Sequence, residues 1–204
     1  MKKSKNSGIR LFVNCVKIMT VDAQKYLEFD AQNVTKSIPI FIAIIPDYIE
    51  INKELKKIIL EHRENYIPNL GSDKSNVKAW HSSWGTHNEN PKFMPFVELV
   101  TGAVEFISQQ YFNTKSLTYN AINMWSMMYE ESEYAKKHSH FPSEFSCVYY
   151  VDVEEGSSPI IFEDSHTIEP KNGMLVIWQG LLQHSVPPTK GKRMAISMNF
   201  NAVK

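Results

Sequence analysis

From Leu117 onward the chain is cut every few residues by Gly, Pro, Asn or Ser into short segments rich in Val, Ile, Tyr and Trp. Segments of that length and composition favour pleated pairing over helix. The expected strands are Leu117–Tyr129, Phe145–Val153, Pro159–Phe162, Gly173–Trp178, Gln183–Val186 and Arg193–Asn201. Many short strands joined by frequent turns point to a sandwich or barrel, not to a parallel α/β sheet.

The first half reads differently. Ser37 to Ile45 is an apolar run of strand length, stopped by Pro46-Asp47. Ile51, Leu55, Ile58, Ile59 and Tyr66 then recur at helical spacing, with Lys53, Glu54, Lys56, Lys57 and Glu61 on the other faces. After a polar loop through Gly71-Ser72-Asp73, a second helix is signalled by Phe96, Val97, Val100, Ala103, Val104 and Ile107, with Pro95 in its first turn. The pattern predicts helices over about 50–66 and 95–112, able to cover one face of a sheet. Residues 1–35 form an N-terminal extension with a weak strand signal over Leu11–Met19, and residues 36–204 form one domain. The fold class is mainly β, of the α+β kind.

Composition narrows the function classes. The 204 residues hold 22 basic and 22 acidic side chains, so net charge is zero and gives no reason to expect tight binding to nucleic acid or anionic membrane. No apolar run approaches a membrane span. The basic start, Met1 to Lys5, is not followed by a signal-peptide core, since Asn14 and Lys17 interrupt the apolar stretch. Two cysteines, Cys15 and Cys147, are too few for a disulfide framework, and Cys147 sits among aromatics as a buried hydrophobe. The expected location is cytoplasmic.

Three histidines carry the chemistry. His138-Ser139-His140 would place two imidazoles on one side of a strand, because side chains two apart share a face. His184 follows a later strand. A His-x-His pair alone is more often a surface pair or a satisfied core histidine than a ligand set. On Arg193–Phe200, Met194, Ile196, Met198 and Phe200 alternate with Arg193, Ala195, Ser197 and Asn199. The polar set suits either a wet edge face or a polar cavity, where a guanidinium fork matches a carboxylate.

The order His138-Ser139-His140, Val148-Tyr149-Tyr150-Val151, Ile168-Glu169-Pro170 with Gly173, His184, and Arg193 with Ser197 resembles the iron(II)- and 2-oxoglutarate-dependent oxygenase superfamily. It is nearest the prolyl-hydroxylase-like branch and small bacterial and phage-type members. Ile38–Leu60 and Val77-Lys78-Ala79-Trp80-His81-Ser82 resemble the same proteins, so the likeness spans residues 36 to 202. It implies a double-stranded β-helix, a cupin-like jelly-roll barrel with helices packed on one sheet. It also implies an oxygenase, expected to be a hydroxylase, that couples 2-oxoglutarate decarboxylation to C–H oxidation. By resemblance Fe(II) is held by His138, His140 and His184, and Arg193 pairs with the far carboxylate of 2-oxoglutarate beside Ser197. Tyr129 and Tyr149 match positions that hydrogen-bond this co-substrate. The partners implied are O₂ and a small-molecule or peptide substrate, with oligomeric state open, a homodimer being one option.

His140 departs from the family, which carries a carboxylate there. A neutral ligand then replaces an anion, and Zn²⁺ or Ni²⁺ would also suit three imidazoles. Glu144 or a small anion could complete the site instead. His138-x-His140-x-x-x-Glu144 also resembles the first cupin metal motif, but the distance from Gly173 to His184 suits the oxygenase pattern better. A metal-binding barrel without catalysis, and a cupin-type metalloenzyme that does not use 2-oxoglutarate, are the competing readings. Trp80 to His87 is a candidate substrate-contacting loop or an ordinary packed one, and His62 reads as solvated on its helix.

Overall fold

The computed structural model describes residues 38–65, 76–114 and 117–203, with the backbone of the strands Ile9–Leu11 (β1), Met19–Val21 (β2) and Asp30–Thr35 (β3). Leu11 and Met19, the two ends of the expected N-terminal strand, pair with each other across the β1–β2 ribbon. Residues 12–18 between them, with Cys15, lie outside the described residues, as do Tyr66 and the loop at Gly71-Ser72-Asp73. The remaining elements in chain order are β4 (Ile38–Ile44), α1 (Tyr48–Asn65), β5 (Val77–Lys78), β6 (Trp80–His81), the single turn α2 (Thr86–Glu89) and α3 (Met94–Tyr111). Then come β7 (Thr118–Tyr129), β8 (Tyr134–His138), β9 (Phe145–Val153), β10 (Ile160–Phe162), β11 (His166–Ile168), β12 (Met174–Gln179), β13 (His184–Val186) and β14 (Arg193–Val203).

Two antiparallel sheets hold the domain together. The larger has the order β3-β4-β12-β9-β14-β7-β6 and the smaller β11-β10-β13-β8-β5. Alternation along the strands of the larger sheet creates two cores, one on each face. Met194, Ile196, Met198 and Phe200 of β14 join Cys147, Tyr149 and Val151 of β9 on the first face. Leu55 and Ile59 of α1 and Phe96, Val100, Ala103, Val104 and Ile107 of α3 pack against them, so both helices cover the sheet as expected. On the second face Trp125, Met127, Tyr129, Val148, Tyr150, Val176 and Trp178 look across at Ala135, Ile160, Phe162 and Val186 of the smaller sheet. Cys147 is buried, with its thiol pushed up to about 12 by desolvation, so it is an inert core residue.

The helices form where the apolar spacing places them. Glu50 near the start of α1 and Arg63 in its last turn complement the helix dipole. Before α3, the Asn90 side chain accepts from the Lys92 amide. His62 differs from expectation: its side chain is 12% exposed and lies beside Glu89, because α1 meets the α2 segment there. Among the described residues, no helix is long and apolar enough to cross a membrane.

α1 is locked to the larger sheet by a polar pair inside an otherwise apolar interface. Tyr149 donates its hydroxyl to Asn52 Oδ1 (2.5 Å), and Asn52 Nδ2 donates to the Val151 carbonyl (2.6 Å). Asn52→Ala leaves a buried hydroxyl and a buried carbonyl without partners, so it should cost about 2–3 kcal/mol. Urea denaturation checks this, with a lower midpoint at unchanged slope.

Candidate metal centre and cavity

The two sheets enclose a narrow cavity of about 50 Å³ that opens to solvent at its mouth. His138, His140 and His184 lie on one side, and Arg193, Ser197, Tyr129 and Tyr150 line it from the larger sheet. Its lining holds no Asp or Glu.

Strand register brings the imidazoles together. His184 on β13 is directly opposite His138 on β8, and opposed residues of an antiparallel pair project to one face. Their ring centroids are 4.4 Å apart. His140 arrives differently, because β8 ends at His138 and His140 sits in the following loop. The expected two-apart arrangement along a single strand is therefore corrected. The loop is tied in place by the His140 amide donating to Gly180 O (2.8 Å) and the Gly180 amide donating to Glu144 O (3.1 Å). His140 lies 5.1 Å from His138 and 5.0 Å from His184, centroid to centroid. One nitrogen from each ring falls within 4.8 Å of the others, so the three could hold a metal ion.

Protonation also suits ligation. Burial lowers all three imidazoles: His140 to about 3, with His138 adding to the effect, His184 well below its ordinary value, and His138 in the same direction. Neutral rings keep a lone pair free near pH 7. His138 Nδ1 faces Lys136 O (2.7 Å) and His184 Nδ1 faces Leu182 O (3.3 Å). A carbonyl only accepts, so each Nδ1 carries the proton and each Nε2 presents its lone pair, the usual tautomer of a metal-binding histidine. Glu144, the candidate substitute ligand, accepts from the Ala202 amide and does not line the cavity.

Arg193 occupies the cavity without an acidic partner. It is 5% exposed, stands opposite Tyr129 in the β14–β7 register, and holds its guanidinium 4.3 Å from the Tyr129 ring. Nη1 donates to Ser158 O (2.6 Å), while the buried Nε has no hydrogen-bond partner. No ion pair to Arg193 occurs among the described residues. A buried cation met by aromatic rings, the Tyr129 hydroxyl and a carbonyl, with no carboxylate, is costly unless a ligand supplies the anion. Ser197, opposite Trp125, is buried in the same lining.

Tyr149 is not in the cavity. It faces the helices and is bonded to Asn52, because Val148 and Tyr150 take the alternate positions that face inward. Tyr150 lines the cavity in its place, with Arg193 5.8 Å from its ring. Strand parity relative to Arg193 would have separated the two tyrosines, since β9 pairs Ala195 with Tyr150. The residue missed altogether is Gly180. A Cβ there would lie 2.2 Å from Ser143 O, a backbone atom that cannot rotate away. The Trp80–His87 segment does reach the cavity, through His81 and Trp84.

No family model matches the sequence, and no curated protein matches it. Solved structures do. A prolyl-4-hydroxylase from Pseudomonas putida superposes with a TM-score of 0.55 at 14% identity, over 74% of this chain and 86% of that one. The viral collagen prolyl hydroxylase of Paramecium Bursaria Chlorella virus-1, solved with 2-oxoglutarate (2OG), gives 0.51 at 16%, over 76% and 88%. The non-haem α-ketoglutarate-dependent epimerase SnoN of nogalamycin biosynthesis gives 0.58 at 11%, over 78% and 77%.

Two predictions follow from the site geometry. Gly180→Ala must push the His140 loop off the Gly180 carbonyl, so metal affinity should fall about 10–100-fold while far-UV circular dichroism is unchanged; calorimetric Zn²⁺ titration measures it. In the metal-free protein the depressed His140 binds fewer protons than the unfolded chain below its ordinary value near 6.5. Stability therefore falls as pH drops, by about 2 kcal/mol for this group between pH 6.5 and 5. The urea midpoint should fall over that window, and less so in His140→Asn. The fold these comparisons identify is the one shared by the prolyl hydroxylases and the α-ketoglutarate-dependent epimerase.

Proposed function

We propose that the protein is a non-haem Fe(II)- and 2-oxoglutarate-dependent oxygenase, a hydroxylase built on a double-stranded β-helix whose two halves are the facing sheets. The observation that carries this reading is the buried, unpaired Arg193 in the same acid-free cavity as three neutral imidazoles. A divalent metal and a dicarboxylate together satisfy both: the metal meets the imidazoles, and one carboxylate meets the guanidinium. The fold shared with structures of 2-oxoglutarate-using proteins points the same way.

Iron with 2-oxoglutarate supplies oxygen activation coupled to loss of CO₂ from the co-substrate. The chain contributes binding and exclusion of water. His138 and His184 would hold the metal through Nε2, with Lys136 O and Leu182 O fixing their rings, and His140 would complete the set. Arg193 would take the far carboxylate of 2-oxoglutarate on its free donors, with the Ser197 hydroxyl nearby. Tyr129 and Tyr150 flank the guanidinium, and burial keeps both phenols protonated, Tyr150 near 12. They can therefore donate to a carboxylate. Val148, Ile160 and Val186 add apolar surface between these polar groups and help exclude water. The three imidazoles add no negative charge, so the complex is one charge more positive than with a carboxylate ligand. The remaining partners in this reading are O₂ and a small-molecule or peptide substrate.

Anaerobic addition of Fe(II) and 2-oxoglutarate should produce a weak visible charge-transfer band. His184→Ala should abolish metal retention. Arg193→Ala should keep the metal yet raise the 2-oxoglutarate needed for half-maximal band by roughly 30-fold or more, the loss of a buried charge pair. Metal uptake with no band, and no succinate under air, would identify a binding barrel instead.

A further inference from the structure

The cavity is polar in two different senses along its length. Deep inside, the unpartnered buried groups are donors: Arg193 Nε and Trp178 Nε1. Toward the β6–β7 edge the unpartnered buried group is His81 Nε2. His81 Nδ1 faces Ser82 O (2.9 Å), and in the tautomer this contact selects, with the proton on Nδ1, Nε2 is an acceptor. His81 pairs with Met127, which faces the cavity, so the imidazole is on the cavity side of β6.

Beside it stand two indoles. Trp84 is 50% exposed and lines the cavity, its ring 4.4 Å from that of Trp125 and 6.0 Å from that of His81. Trp125 is in turn 5.6 Å from the His140 ring, so this wall begins at the metal centre and runs outward to solvent. An indole left half in water is usually a mobile decoration, but the backbone under Trp84 is held. Met124 N donates to Trp84 O (2.9 Å), Ser82 N donates to Ser126 O (3.0 Å), and Ser126 N donates to Ser82 Oγ (2.8 Å). Thr86 Oγ1 donates to the same Ser82 Oγ (2.6 Å). This segment thus continues the sheet edge as a rigid support, and a fixed aromatic face adds stacking affinity without an ordering cost.

We infer that His81, Trp84 and Trp125 form the substrate subsite, and that it takes a flat, uncharged ring-bearing group carrying an N–H or O–H donor. The ring lies on the indoles and the donor meets His81 Nε2. An anionic group is disfavoured here, because an acceptor faces an acceptor. As a statement about substrate, this rests on the oxygenase reading; as a statement about binding, it does not.

Benzamide, methyl benzoate and benzoate separate the terms, since they share a ring and differ in donor and charge. The protein is loaded with Zn²⁺ and 2-oxoglutarate, which blocks turnover, and the tryptophan indole N–H resonances are followed by NMR. Benzamide should shift the Trp84 and Trp125 resonances and bind at least 5-fold tighter than methyl benzoate or benzoate. Trp84→Ala should weaken benzamide 10-fold or more, and Trp84→Phe should restore most of it. His81→Ala should remove the preference for benzamide over methyl benzoate while ring binding persists. Benzamide that moves neither indole, Trp84→Ala binding like wild type, or a preference that survives His81→Ala overturns the assignment. Failure of the oxygenase reading shows separately, as absence of the iron–2-oxoglutarate band in a protein that still binds benzamide at Trp84.

Discussion

Everything in the domain depends on β14 being buried on both faces. Its apolar side closes the core under α1 and α3, and its polar side, Arg193 and Ser197, forms the cavity wall. Eleven residues pair with β7 on one edge while the first eight also pair with β9 on the other. A strand so placed has no freedom of register, because a slip of one residue would turn Arg193 into the helix-packed core and a methionine into the cavity. The position of the guanidinium is therefore fixed by the hydrophobic effect acting on Met194, Ile196, Met198 and Phe200, not by any bond the guanidinium makes.

The lining of the cavity combines three imidazoles with one guanidinium and no acidic side chain. Burial keeps the three imidazoles neutral, and the Arg193 guanidinium shares the same lining. With no carboxylate in the lining, a cation at the imidazoles and an anion at the guanidinium each make the other easier to accommodate. This is why metal and dicarboxylate are proposed as a pair. Tyr129 and Tyr150 soften the cost of burying the guanidinium through their ring faces without replacing an anion.

Much of this was legible in the sequence. The alternation on Arg193–Phe200 gave both faces of β14, and helical spacing in the first half gave α1 and α3 nearly to the residue. Period-2 and period-3.6 patterns survive wherever an element packs on one continuous surface. What was not legible depends on pairing between distant strands. Choosing Tyr150 over Tyr149 for the cavity needs the register against β14, and adjacent tyrosines look alike until it is known. The short strands β5, β6 and β11 have two or three residues and carry no periodicity. Gly180 gave no local signal, because what it accommodates is Ser143 O, far away in sequence. His138 and His140 come near each other as a strand residue and a loop residue, not as two positions of one strand.

That difference in support has a mechanical meaning. His138 and His184 are borne on laddered strands, while His140 hangs from a short connection fastened to Gly180. His140 is held instead by local backbone bonds, its amide donating to Gly180 O and its carbonyl accepting from Ser143 N, so one imidazole of the three is positioned without a strand ladder.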